Sequence, residues 1–184
     1  MAASQQAESS TLGHRVRRLV RAYWHWPILL GVTLYIVFRF WPPTIDLAPP
    51  GNAAPSFAHE TIDGAMFRTA DHADQIMVVN VWATWCPPCR VELPGFVELQ
   101  NEWGDDVQFV GLATDQQGAR VVKPFAEEQG LNYPQIASGA LAYHHFPGEA
   151  VPRTYVIDAR GDIRYEHVGF MPKSTLDRVL HALH

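Results

Sequence analysis

Apolar and polar positions divide the chain into an N-terminal apolar span and a body where short apolar runs alternate with stretches of helical period. From Ala22 to Trp41 the chain is mostly apolar, interrupted by His25, Pro27 and Arg39. Twenty residues of helix cover about 30 Å, the thickness of a hydrocarbon core. Tyr23, Trp24 and Trp26 at one end and Phe40 and Trp41 at the other suit the two interfaces, and Arg39 is near enough to the end to snorkel. Arg15, Arg17, Arg18 and Arg21 precede the span and hold the N-terminus on the inner side. Phe38–Pro43 offers no small residues for a signal-peptide cut, so the span reads as an uncleaved anchor. Residues 42–56 hold five prolines and no period, as a stiff extended tether does. The expected organisation is a disordered cationic tail over 1–21, a transmembrane anchor over 22–41, a Pro-rich linker over 42–54 and a folded domain over 55–184.

Within that domain Met77–Ala83 is a short apolar, β-branched run suited to a central strand buried on both faces. A helix is expected over Pro87–Trp103, a strand over Val107–Ala113 and a helix over Ala119–Gln129 ending at Gly130. Pro134–Ala137 is short and ambiguous. Arg153–Asp158 and Ile163–Val168 read as a hairpin turning at Gly161, and Ser174–Leu183 as a closing helix with Leu176, Val179, Leu180 and Leu183 on one face. Strands alternating with helices, then a hairpin and a last helix, predict an α/β fold with helices on both faces of the sheet.

Composition narrows the function classes. Residues 1–41 carry a net charge of +4 and residues 42–184 one of −9. So acidic a body repels phosphate backbones, which argues against nucleic acid as a partner. Two cysteines in 184 residues are too few for a disulfide-stapled mini-fold or a Cys-only zinc site. They stand as Cys86-Pro87-Pro88-Cys89, between the predicted central strand and the next helix. A thiol at a helix N-terminus faces unpaired N–H groups and the positive end of the dipole, which favours its thiolate. Two intervening residues let Cys89 resolve a mixed disulfide formed at Cys86. Pro87 and Pro88 suit a first helical turn, which needs no N–H there.

Val79–Trp85 leading into Cys86-Pro-Pro-Cys-Arg-Val-Glu92-Leu-Pro94 resembles the thioredoxin-like TlpA/ResA group. The resemblance extends over Ala54–His184 and includes Ala54-Pro-Ser-Phe57 and Val151-Pro-Arg-Thr-Tyr-Val-Ile-Asp158. It implies a thioredoxin-like fold, a central mixed sheet with helices on both faces. It also implies a membrane-tethered thiol-disulfide oxidoreductase on the outer side of a bacterial membrane, needing no cofactor beyond its own dithiol. By the same resemblance Pro152 is cis and lies against Cys86, leaving Val151's backbone free to pair with a substrate strand.

Cys89, Glu92, Phe96, Leu99 and Trp103 share one helix face, which takes Glu92 toward the core beside Cys89, with Pro94 a possible bend. A poorly hydrated carboxyl there has a raised pKa and can carry the resolving thiol's proton, and the group has a functional glutamate at this position. Asn80 stands where thioredoxin has a buried Asp; an amide cannot take a proton, and its expected role is to cap strand ends. Trp82 is expected in the core, and Trp85 on an exposed rim where substrates dock. His59, His72, His167, His181 and His184 show no usable spacing.

The leading expectation is a reductant of disulfides in exported proteins, serving cytochrome c maturation or respiratory oxidase assembly. Neither residue between the cysteines is the histidine of DsbA-like oxidants. With two cysteines the chain has no relay of its own, so a membrane thiol-electron transporter is implied as its reductant. Two alternatives share the fold. A copper-binding assembly chaperone would use Cys86, Cys89 and His144 or His145. A thiol peroxidase would have Thr or Ser three residues before its reactive cysteine, where Ala83 stands.

Overall fold

The computed structural model describes residues 26–39 and 45–184. They fall into two units divided at Thr44. In the first, a helix, α1, covers Trp26–Arg39, and its large apolar side chains from Trp26 to Val37 are exposed. Its 14 residues span about 21 Å. Among the described residues no helix is long and apolar enough to cross a membrane. The outer parts of the expected anchor, residues 22–25 and 40–41, lie outside the described residues, as does the cationic tail.

The second unit begins at Ile45, ahead of residue 55 where the expected domain starts. From Ile45 on, the proline-rich stretch forms no helix and is bonded to the body at several points. Ile45 and Leu47 pack on the core, Ala48 N–H donates to Arg164 O (2.7 Å), and Asn52 O accepts from Ile163 N–H (2.8 Å). Proline removes donors but leaves carbonyls, and the intervening residues supply the rest.

A two-stranded hairpin, β1 (Ala58–Glu60) and β2 (Met66–Arg68), precedes a five-stranded sheet. The sheet consists of β3 (Ile76–Trp82), β4 (Val107–Ala113), β5 (Gln135–Ala137), β6 (Arg153–Ile157) and β7 (Ile163–Val168), in the order β5-β4-β3-β6-β7. Pairing is parallel across β5, β4 and β3 and antiparallel across β3, β6 and β7. The sheet is therefore mixed. The helices are α2 (Pro87–Trp103), α3 (Ala119–Glu128), α4 (Gly139–His145) and α5 (Lys173–Leu183).

Every residue of β3 is buried, as expected of a central apolar strand covered on both faces. Its alternate residues serve different layers. Met77, Val79 and Val81 join Phe57, Phe146 and Tyr155 on one side; Ile76 and Val78 meet Phe96 of α2 and Leu176 and Leu180 of α5 on the other. At its C-terminal end, Trp82 and Ala83 cluster with Cys86, Cys89, Leu93 and Val122. The elements expected from sequence are present, with small shifts at their ends. β5 resolves the ambiguous Pro134–Ala137; α4 and the β1–β2 hairpin were not anticipated.

Candidate active site

β3 points its C-terminal end at the two cysteines. Cys86 caps α2 in extended backbone (φ −89°, ψ 107°), and Pro87 and Pro88 occupy the first turn. The helix runs through Pro94 and ends before Gly104, whose φ of 55° suits a residue without Cβ. Cys86 and Cys89 form a disulfide (S–S 2.05 Å), and Cys89 N–H donates to Cys86 Sγ (3.3 Å). That bond is the N-cap interaction, so the helix terminus is aimed at the sulfur. Both cysteines are buried, while Trp85 beside them is 65% exposed and Pro87 and Pro88 are exposed. Trp82 is wholly buried.

The Val151–Pro152 bond is cis. Pro152 is buried, its O accepts from Gly169 N–H (2.9 Å), and half-buried Val151 packs on the cluster that holds the cysteines. The site thus joins Trp85, Cys86, Pro87, Pro88, Cys89 and Val151-Pro152 at one end of the sheet. Val91 of α2 (67% exposed) and Phe170 of the loop before α5 (44%) line an open cavity together with Glu92. A second cavity, lined by Pro55, Thr69, Met77 and Ile157, holds none of these residues.

Glu92 is 3% exposed, one turn beyond Cys89 on the same helix face. Burial pushes its carboxyl up to about 7, against the pull of two donors: Met171 N–H to Oε2 (2.9 Å) and Asn80 Nδ2–H to Oε1 (2.9 Å). Asn80 therefore does not cap strand ends. It lies at the middle of β3, where backbone partners come from β4 and β6, and its side chain is directed across to α2.

Sequence reasoning missed three residues. Asp115, buried after β4, accepts from Thr84 N–H (3.0 Å) and Thr84 Oγ1–H (2.5 Å) and so ties down the loop that presents Cys86. Its only signal was a polar Thr-Asp pair after an apolar strand. Gln135 accepts from the Trp82 indole N–H (3.1 Å). Arg153, next to the cis-proline, is buried with Nη1 donating to Pro147 O and Tyr155 Oη. His144 and His145 end α4, and His145 stacks on Phe57 (5.5 Å), in a cluster separate from the one holding the cysteines.

A cysteine pair at a strand-to-helix junction of a mixed sheet of this order, with the residue before a cis-proline packed on the same cluster, defines a thiol-disulfide oxidoreductase of thioredoxin-like fold. The chain belongs to the AhpC/TSA family, whose sequence profile matches residues 50–166. It is 30% identical over 155 residues to the thioredoxin-like protein YneN of Bacillus subtilis, covering 83% of this chain and 91% of that one. With the thiol-disulfide oxidoreductase ResA of Geobacillus kaustophilus it shares 27% identity over 161 residues, 84% and 87% of the two chains. Among solved structures, a thiol:disulfide interchange protein of the thioredoxin family from Chlorobium tepidum superposes with a TM-score of 0.68 at 34% identity, over 74% of this chain and 97% of that one. The chain is an enzyme of this ResA-like kind.

Proposed function

We propose that the chain is a membrane-anchored, extracytoplasmic reductant of disulfides in exported proteins. The observation that carries the reading is the Cys86–Cys89 pair at the head of α2, in one cluster with Val151 and one turn from buried Glu92. In the reduced enzyme the Cys86 thiolate attacks a substrate disulfide, forming one S–S bond and releasing one substrate thiolate. The Cys89 thiolate then attacks Cys86 Sγ, expelling the second substrate thiolate and leaving the Cys86–Cys89 disulfide. Glu92 accepts the Cys89 proton as that thiol becomes a nucleophile. Val151's backbone and the exposed Trp85 ring, with Pro87 and Pro88, hold the substrate strand. The electron pair returns from a membrane thiol-electron transporter, since the chain has no further cysteine to relay it.

Exported proteins with cysteine pairs are the substrates, in cytochrome c maturation or oxidase assembly. The names of relatives support the class: ResA, and a DsbE homolog of Paracoccus denitrificans described as a thiol:disulfide interchange protein. Residues 22–41 and the arginines before them supply the anchor and its orientation. A peroxidase is disfavoured by a specific contact: Ala83 stands three residues before Cys86, and the neighbouring Thr84 hydroxyl is committed to Asp115.

The test is the equilibrium potential of the full chain in detergent against a glutathione or dithiothreitol couple. A value nearer thioredoxin's, about −270 mV, than DsbA's, about −120 mV, is expected of a reductant. A DsbA-like value would overturn the direction of electron flow.

A further inference from the structure

Asn80 and Glu92 meet across the interface between the central strand and α2, Asn80 wholly buried and Glu92 nearly so. The carboxyl has a donor on each oxygen, and the two donors differ in kind. Met171 N–H belongs to the backbone and cannot turn. The Asn80 amide can. As it stands it offers Nδ2–H to Glu92 Oε1, while its own Oδ1 is buried with no hydrogen-bond partner. A buried acceptor left unmade is costly, so this one calls for a reason. Turned about, the same amide brings Oδ1 toward the carboxyl, where it can accept only from a protonated Glu92. An aspartate at this position would need a proton of its own to donate, and an apolar residue could neither donate nor accept.

We propose that Asn80 is the positioning residue that serves both protonation states of Glu92, donating to its carboxylate and, rotated, accepting from its acid. The proposal rests on Glu92 as the proton carrier and goes beyond it by naming what keeps that carrier ready to release. Burial alone favours the acid; the Asn80 donor favours the carboxylate. Other charged or titratable groups face Glu92 from each packed element. On α2 these are Cys89 and Glu102. From α5, Lys173 and Asp177 line the same cavity, with Lys173 engaged by Glu98 and Glu102 at 2.7 Å each. Before β5 stands Tyr133, whose hydroxyl burial keeps neutral.

The test uses the oxidised full-length chain in detergent, so that no thiol titrates. Infrared spectra against pH follow the carboxylic-acid band that Glu92→Gln removes. The bond to the charged carboxylate is the stronger of the two, so Asn80→Ala, and Asn80→Val, which suits a buried strand, should each raise the midpoint of that band by about one pH unit or more, and the band itself should move to higher wavenumber as the acid loses its acceptor. The pH profile of disulfide exchange should shift with it, and Asn80→Val should produce no shift in a Glu92→Gln background. A midpoint unchanged in either folded variant, with the band still abolished by Glu92→Gln, overturns the role of Asn80 and leaves Glu92 as proton carrier. If Glu92→Gln removes no band titrating near neutrality, the proton-carrier reading fails first and takes this one with it.

Discussion

In the folded chain Glu92 titrates near pH 7, where its ordinary value is 4.5, because burial disfavours its charge more than Met171 and Asn80 favour it. Between those two values the folded state binds a proton that the unfolded state has released, so stability falls as pH rises and the full loss is reached above about 7. Converted at 1.36 kcal/mol per unit, the loss is roughly 3 kcal/mol. Glu92→Gln removes it. Urea unfolding of the oxidised chain across pH 4–8 should show the wild type losing ground to the Gln variant through that window; parallel curves would sink the assignment. The cysteines make a second residue-scale prediction. With the helix terminus aimed at Cys86 Sγ, iodoacetamide at neutral pH should modify Cys86 of the reduced chain much faster than Cys89. Equal rates, or the reverse order, would reassign the nucleophile. The placement of these residues was legible in the sequence, since the CxxC spacing and the shared face of Cys89 and Glu92 are local properties of one helix. Asn80's contact was not. Its partner lies on another element, brought there by β3 packing against α2, and nothing in its own neighbourhood announces a carboxyl.

At the scale of elements, long periodic runs were readable and short ones were not. β3 and β4 have seven residues each and α2 has seventeen, enough for pattern to decide. α4 has seven residues and the hairpin strands three each, and their form depends on what they pack against. Gly111 in β4 shows the same limit. It pairs with Gln135, and a Cβ there would lie 2.0 Å from the Gln135 Oε1 that receives the Trp82 indole. Gly111→Ala must displace that amide or the strand, and a cost of about 1–3 kcal/mol is expected as a lower urea midpoint with the slope unchanged. Asp115 acts between elements as well, holding the loop after β3 from the end of β4. Asp115→Ala should speed hydrogen exchange at the Thr84 amide while amides at the centre of β3 stay protected. Unaltered Thr84 exchange would mean that the loop holds its form without the carboxylate.

Taken whole, the chain joins a cationic, apolar beginning to an acidic folded body, and the anchor proposal follows from that asymmetry. If the reading is right, alkaline carbonate washing leaves the full-length protein with the membrane; its release would withdraw the anchor. Residues 48–54 carry a different consequence. They lie along β7, through Ala48 to Arg164 and Asn52 to Ile163, while at the opposite margin Ile62 N–H closes on Gln135 O of β5 (2.9 Å). The outer strand β7 is thereby covered by the chain's own extended segment, and β5 is met by the turn between β1 and β2, a common defence against self-association. Anyone trimming the protein to a soluble fragment would be tempted to cut where the prolines end. A chain starting at Pro55 would bare the rim of β7 and offer it to a second copy, and light scattering should show it clumping as it is concentrated. A chain starting at Ile45 keeps its selvedge and should stay monomeric.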